Sequence, residues 1–465
     1  MFIIVVGIGK VGRTIAENLA QEGNDLVLID QDADLLEKVQ DEIDVMIHCG
    51  NGASGRTLQE AGIGRADIII ATTASDETNM LVCMAGKKLG ARYAIARIRD
   101  PEYNESMMFL QQELGIDATM NPERATAYEI SRLLRFPFAI SVEHFCKDRV
   151  ELVEFRVQDG DPMADVPLRD ISRKCRDLPQ VLYAAVEHNG ELKIPYGDDV
   201  MHVGDRIHVV ADTATINAYF RFLGRNMKRV KRLMILGGGR ISYYLVKALT
   251  ASGVESTIIE IDAHKARKLS EQLPAVSVVH GDGTDQDLLD EEGLRESDAF
   301  VALCDRDEEN LMTGLYAVRQ GVPKVVVKNN RVSYAEIFGT MGLDSIVSPR
   351  AITCATILRY VRARVRADGT NLEKLYRLMG GKAEALEFVA RDNDAYLNIP
   401  LKDLAVRRNT IVAIILHNGR VKIPFGSDVI SAGDTVVVIA CDPGIGDLNE
   451  VLTVRGRKPQ AESKE

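Results

Sequence analysis

The strongest constraint on this chain's fold is an internal duplication: its 465 residues are written twice, at an offset of about 230. Phe2 to Gly12 (FIIVVGIGKVG) is answered by Leu233 to Ser242 (LMILGGGRIS), which puts the pairs Gly7/Gly9 and Gly237/Gly239 230 positions apart. Asp30, closing LVLID, and Glu260, closing TIIE, keep that offset, so an acid stands 18 residues beyond both Gly12 and Ser242. Asp76-Glu77-Thr78-Asn79 answers Asp307-Glu308-Glu309-Asn310, and the strand-like run ending at Arg97 answers the one ending at Lys328. Later, HNGELKIPYGDDVMHVGDRIHVVA (His188 to Ala211) matches HNGRVKIPFGSDVISAGDTVVVIA (His417 to Ala440).

Within each half the texture changes midway. The first part alternates β-branched runs with helical stretches, and the last part has short strands broken by His-Asn-Gly and Gly-Asp turns. In the first copy IIVVG, LVLID, VMIHC, DIIIAT and Tyr93–Ile98 predict strands. Arg13–Glu22, Ala33–Gln40, Thr57–Ala61 and Asp76–Leu89 predict helices, the last with an acidic first turn and a stop at Gly90. That alternation implies right-handed crossovers and a parallel, doubly wound sheet. The fold class is therefore α/β: two tandem copies of a Rossmann-like parallel-sheet domain, each followed by a small α+β domain. The expected divisions are 1–123, 140–225, 231–350 and 369–453. The basic join Arg225–Arg232 is expected to be exposed, and the tail Gly456–Glu465, without an apolar anchor, disordered.

Composition excludes several function classes. A net charge of −11 supplies no global basic face for nucleic acid. The longest apolar runs, such as Ile411–Leu416, fall far short of the roughly 18 to 20 residues that cross a bilayer. Met1–Val6 runs straight into a glycine turn, which is not the pattern of a signal peptide. Seven solitary cysteines without CxxC spacing suit a reducing compartment and argue against disulfides and zinc.

A parallel sheet of this kind binds ligands at the carboxyl ends of its strands, with the first strand-to-helix turn as phosphate seat. In Gly7-Ile8-Gly9-Lys10-Val11-Gly12 the first glycine permits the tight turn, the second admits a pyrophosphate, and the third lets the helix lie close. Asp30 is placed to accept a ribose 2′-hydroxyl and to repel a 2′-phosphate, which favours NAD over NADP. A glycine turn alone is equally a packing device; the strand before it, the helix after it and the trailing acid point to a nucleotide. In Gly237-Gly238-Gly239-Arg240-Ile241-Ser242 the third glycine is replaced, which predicts a slightly wider helix–sheet contact, and Glu260 keeps the acceptor. Lys10 and Arg240 follow the second glycine of each motif, either solvated or meeting an outer phosphate or a neighbouring subunit's ligand. Thr73 and Ala74, and Cys304 and Asp305, lie just past a strand's carboxyl end, while Arg97 and Lys328 end the next strand on the same edge.

No catalytic set accompanies these motifs. Eight histidines include no HExxH, and Cys304 stands opposite Thr73 in the repeat, as a buried thiol rather than a nucleophile would. His188 and His417 precede Asn-Gly turns and read as turn residues. An oxidoreductase normally pairs one cofactor domain with one unlike substrate domain, whereas this chain repeats both kinds of module.

Two tandem halves, each with a GxGxx(G/S) turn, a trailing acid, a DExN helix start and a C-terminal IP(Y/F)G…GD module, resemble the regulator-of-potassium-conductance (RCK) family over about residues 1 to 453. The resemblance implies that the first module of each half binds NAD(H) or an adenine nucleotide such as ATP or ADP, and that the second is a small regulatory domain. It implies a peripheral position on the cytoplasmic side of an integral membrane potassium-translocating subunit, and a homo-oligomer, a dimer presenting four Rossmann units. Carried over by position, Gly7–Gly12, Asp30, Thr73, Ala74 and Arg97 would line one site; Gly237–Ser242, Glu260, Cys304, Asp305 and Lys328 would line the other. Ser242, and Asn51 where the second copy has Asp282, leave the two unequal. A regulator of another cation transporter or antiporter, and more remotely an NAD-dependent oxidoreductase, are the alternatives.

Overall fold

The computed structural model describes residues 1–146, 149–225, 229–330, 338–339, 341–343, 345–365, 371–378, 382–441 and 445–454. Part of the basic join and the tail Gly456–Glu465 lie outside the described residues.

The first copy runs β1 (Phe2–Val6), α1 (Lys10–Gln21), β2 (Asp25–Asp30), α2 (Ala33–Gln40), β3 (Met46–Cys49), α3 (Gly55–Glu60), β4 (Ile68–Ala71), α4 (Asp76–Leu89), β5 (Tyr93–Arg97), α5 (Pro101–Leu110), β6 (Ala118–Met120) and α6 (Pro122–Arg135). The first small domain holds β7 (Ser141–Phe145), β8 (Val150–Arg156), α7 (Leu168–Lys174), β9 (Leu182–His188), β10 (Glu191–Lys193), β11 (Arg206–Asp212) and α8 (Thr213–Phe222). The second copy repeats the first with β12 (Arg232–Leu236), α9 (Arg240–Thr250), β13 (Glu255–Glu260), α10 (Ala263–Gln272), β14 (Ser277–His280), α11 (Gln286–Glu291), β15 (Ala299–Ala302), α12 (Asp307–Arg319), β16 (Lys324–Lys328), β17 (Ser345–Val347) and α13 (Pro349–Val365). Strands β18 (Leu372–Leu378), β19 (Ala383–Val389), β20 (Leu404–Val406), β21 (Thr410–His417), β22 (Arg420–Lys422), β23 (Thr435–Ala440) and β24 (Leu452–Val454) close the chain.

Both large sheets are parallel, in the orders β3-β2-β1-β4-β5-β6 and β14-β13-β12-β15-β16-β17. The order reverses beside β1 and β12, which opens a crevice at the carboxyl ends of these central strands. Their cores read as unbroken apolar runs because both faces are covered: Ile3, Ile4, Val5, Ile68, Ile69 and Ile70 are all buried. The helix α1 begins at Lys10 rather than Arg13, since the backbone turns helical directly after Gly9. The helix Asp76–Leu89 and its stop at Gly90, at φ 122°, agree with the sequence reading.

The chain forms two compact units, Met1–Ser131 with Val230–Val361, and Arg132–Arg229 with Arg362–Glu465. In the first unit the two Rossmann-like copies share a core. Cys354, Ile357, Leu358 and Val361 of α13, the helix that follows the second sheet, pack against Ile3, Val5, Ile15, Ile68 and Ile70 of the first. Fully burying such side chains contributes roughly 1.5 to 3 kcal/mol each. In the second unit the antiparallel sheets β10-β9-β11-β8-β7 and β18-β19-β23-β21-β22 share a cluster that includes Phe145, Val150, Leu152, Ala385, Ile414 and Val437. His188 and His417 are the last residues of β9 and β21 rather than turn residues: each Nδ1 lies 2.6 Å from a carboxylate, Asp205 or Asp434, and the turns begin at Asn189 and Asn418, at φ 51° and 48°.

Candidate functional site

The carboxyl ends of β1 and β12 lead into glycine turns whose geometry leaves no room for other residues. Gly7 has φ 89°, and a Cβ there would lie 2.7 Å from the Thr73 backbone nitrogen; Gly237, at φ 95°, would place one 3.0 Å from that of Cys304. The second turn is thus slightly wider. A Cβ on Gly12 would lie 2.0 Å from the Gly7 carbonyl oxygen, and that oxygen accepts the Thr72 hydroxyl at 2.8 Å. In the second copy Leu303 stands where Thr72 would be, and the Ser242 hydroxyl itself donates to the Gly237 carbonyl. The replaced glycine and the lost threonine are one compensated change.

Gly9 and Gly239 are different in kind. Each is the N-cap of its helix with no side-chain cap hydrogen bond, neither first turn carries an acid, and a Cβ would meet nothing within 4 Å. The first N–H groups of α1 and α9 therefore face open space at the positive end of a helix dipole, the arrangement that seats a phosphate. A pyrophosphate fits this seat, since nothing else caps it.

The trailing acids hold the turns as well as closing the strands. Asp30 Oδ2 accepts the Ile8 N–H at 2.6 Å, and Oδ1 accepts Asp32 N–H at 3.1 Å. Glu260 does the same with Gly238 at 2.7 Å and Asp262 at 2.9 Å. Carboxylate oxygens have lone pairs beyond these, free for two ribose hydroxyls.

Around the second turn the structure forms a cleft of about 920 Å³. Gly237, Gly238, Gly239, Arg240, Glu260, Cys304 and Asp305 line it, so seven of the expected positions converge. Ile241 and Ser242 are buried in the root of α9. Lys328 is buried too, its Nζ donating to the Leu303 carbonyl at 3.3 Å and lying 3.7 Å from Asp305. In the first copy Ile8 and Val11 point into the core cluster and contribute backbone only. Arg97 mirrors Lys328, with Nη1 3.5 Å from the Thr72 carbonyl; burial, then the neighbouring Arg99, pushes its pKa below the usual value. Lys10 is exposed, and Thr73 and Ala74 follow β4 at the rim.

Sequence reading missed the residue that fixes both rims. Asn79, fully buried, accepts the Thr73 N–H at 2.8 Å and its hydroxyl at 2.7 Å, and donates to the Arg97 carbonyl at 2.8 Å. Asn310 repeats this with Cys304 and Lys328. The signal was present as the recurring asparagine of the DExN pairs. Also missed was a first-half segment: Asp100, Pro101 and Glu102 line the second cleft.

Comparison with known proteins decides the family. The TrkA-N domain family matches residues 3–122 and 233–349, and the TrkA-C domain family matches 152–224 and 385–453. The chain belongs to the TrkA family. It is 34% identical to the Trk system potassium uptake protein TrkA of Haemophilus influenzae over 95% of this chain and 96% of that protein. It is 32% identical to the Trk system potassium uptake protein TrkA homolog of Archaeoglobus fulgidus, over 97% of this chain and all of that one. Among solved structures the GsuK RCK domain matches with a TM-score of 0.61 at 17% identity, covering 94% of this chain and 92% of that chain. The GsuK channel bound to NAD gives the same TM-score and identity, over 76% of its own length. These structures place the TrkA family chain in the RCK fold. Among the described residues no helix is long and apolar enough to cross a membrane.

Proposed function

We propose that this chain is the nucleotide-sensing regulatory subunit of a membrane potassium uptake system. It binds NAD(H), and ATP or ADP, at the two glycine turns, without catalysing a reaction. Its partner is an integral membrane potassium-translocating subunit, met as a homodimer of the double-length chain at the cytoplasmic face of the membrane. The carrying observation is the pair of uncapped helix N-termini at Gly9 and Gly239, each beside an acid placed for a ribose. The relatives' naming as Trk potassium uptake proteins and the NAD in the GsuK channel support the reading.

Bound nucleotide supplies charge and contacts rather than chemistry. It shifts an equilibrium only by binding two arrangements of the modules with different affinity, and about 1 to 3 kcal/mol of coupling per site is typical. Within the site the backbone N–H groups of α1 and α9 hold phosphate, Asp30 and Glu260 orient ribose, and Asn79 and Asn310 keep the rims in place.

The test is calorimetry with NADH, NAD and ATP on the full chain beside Gly9→Asp and Gly239→Asp. Aspartate is a favourable N-cap, and the open space at both glycines accepts it, so the helices stay while a carboxylate occupies the anion seat. Each variant should remove one binding event. Absence of binding by the unmodified chain at millimolar nucleotide would overturn the reading. Co-purification with a potassium-translocating membrane subunit, strengthened or weakened by nucleotide, tests the partner.

A further inference from the structure

The second cleft is completed by the first half of the chain. Asp100, Pro101 and Glu102, from the start of α5, line it together with Gly239, Arg240 and Tyr243 of the α9 terminus. This wall is held from two sides. The Arg99 and Asp100 N–H groups both donate to Asp76 Oδ2 at 2.8 Å, and the Arg99 carbonyl accepts the Tyr244 hydroxyl at 3.1 Å and the Asn121 amide at 3.2 Å. Tyr244 lies one turn along α9 from Arg240, so the wall is fastened to the helix whose N-terminus forms the phosphate seat.

The charge of the wall is one-sided. Asp100 caps α5 by accepting the Glu102 N–H at 2.9 Å, and among the described residues neither carboxylate forms an ion pair. Nearby Arg306 is committed to Glu309 at 2.7 Å. On the β13 side of the glycine turn the lining is different, with Lys265 and Lys268 of α10 beside Glu260. The acids are not a general feature of the repeat, because Arg331 and Ser333 stand at the corresponding positions of the second half in sequence. The volume, about 920 Å³, lies at the upper end of the roughly 300 to 1,000 Å³ of small-molecule sites and has room for a dinucleotide.

We propose that Asp100 and Glu102 are specificity-determining residues of the second cleft, and that they select a dinucleotide with a hydroxylated, uncharged or cationic far end over a nucleoside triphosphate. This rests on the nucleotide-binding reading above. The pyrophosphate common to both ligands sits on α9, where Arg240 and the helix dipole favour it. A third phosphate adds charge to a cleft that already holds these two carboxylates, Asp100 half-buried and Glu102 exposed, and like charges repel there most at low salt. The ribose of a dinucleotide instead offers hydroxyl donors, which carboxylates accept.

The test uses the full chain carrying Gly9→Asp, which blocks the first glycine turn, and titrates NAD and ATP by calorimetry at low salt with EDTA. The second cleft should bind NAD at least about 10-fold more tightly than ATP. Asp100→Asn with Glu102→Gln, which keeps the α5 cap because asparagine caps as well as aspartate, should tighten ATP by about 10-fold and move NAD by less than about 3-fold. A gain of ATP affinity cannot come from misfolding. Equal or tighter ATP binding before the substitutions, or an unchanged ATP/NAD ratio after them, overturns the proposal while leaving nucleotide binding intact. Failure of both ligands to bind removes the wider reading and the proposal together.

Discussion

Gly238 has no side chain because the carboxylate of Glu260 fills the space where one would go. A Cβ there would lie 3.0 Å from Glu260 Oε2 and 3.1 Å from Leu269 Cδ2. The first copy pairs Ile8 with the shorter Asp30 at the same places, so the two turns solve one packing problem with exchanged volumes. Gly238→Ile should therefore destabilise by about 1 to 3 kcal/mol through overpacking. Adding Glu260→Asp should recover much of that loss, with a coupling of at least about 1 kcal/mol in a double-mutant cycle of urea unfolding.

Asn79→Ala should be among the more damaging single changes in the first copy. It strips partners from the partly buried Thr73 N–H and Arg97 carbonyl, at a cost of about 1 to 3 kcal/mol. Nucleotide affinity at the first glycine turn should fall while that at the second, held by Asn310, is retained; thermal unfolding and calorimetry read the two effects.

Leu358→Ala, in α13, should loosen the first sheet although it lies about 240 residues or more from every strand of it. The loss of a buried leucine costs about 2 to 5 kcal/mol. Hydrogen exchange should show reduced protection in β1 and β4, and unaltered rates there would contradict the shared core.

The Glu77 carboxyl is held at a pKa of about 2, well below the ordinary 4.5, because its ionised form accepts the Ser75 hydroxyl and then the Tyr103 hydroxyl, which ties α4 to α5. A depressed carboxylate contributes its stability in full above about 4.5 and loses it as the pH falls toward 2. Tyr103→Phe should raise the Glu77 midpoint, read by NMR titration, and the phenol of Tyr103, itself raised by Glu77, disappears with it.

Tyr244→Phe removes a hydroxyl that donates to the Arg99 carbonyl and accepts from Asn121 at 2.9 Å. The cost should be about 1 kcal/mol. The second cleft should lose affinity with it, since its first-half wall is fastened there; an unchanged affinity would show that Asp76 and Asn121 hold the wall without Tyr244.

The repeat carried most of the fold in plain view. Strand runs, the glycine turns and the acids at Asp30 and Glu260 are local patterns, and period and turn chemistry are local properties of a sequence. The convergence of Gly237–Arg240, Glu260, Cys304 and Asp305 on one cleft followed from the same βαβ logic. What could not be read was any relation across the copies. Neither the presence of Leu358 in one core with Ile3 nor that of Glu102 in one cleft with Gly239 has a periodicity, because each depends on how the two Rossmann-like domains pair. Asn79 was visible as a repeated letter, yet only its burial shows that it is a brace rather than a helix-start preference.

The packing of α13 on the first sheet also sets an order of events during synthesis. At roughly 5 to 20 residues per second, the ribosome finishes β1 within a second or so but does not deliver Leu358 for about 18 to 70 seconds. Over that interval the apolar face formed by Ile3, Val5 and Ile68 is covered by Ile15 and Leu19 of α1 and Leu36 and Val39 of α2 but lacks the share that α13 supplies. A nascent chain of this design completes that core last, and a stop codon anywhere before residue 349 yields a first half whose core lacks Cys354, Ile357, Leu358 and Val361.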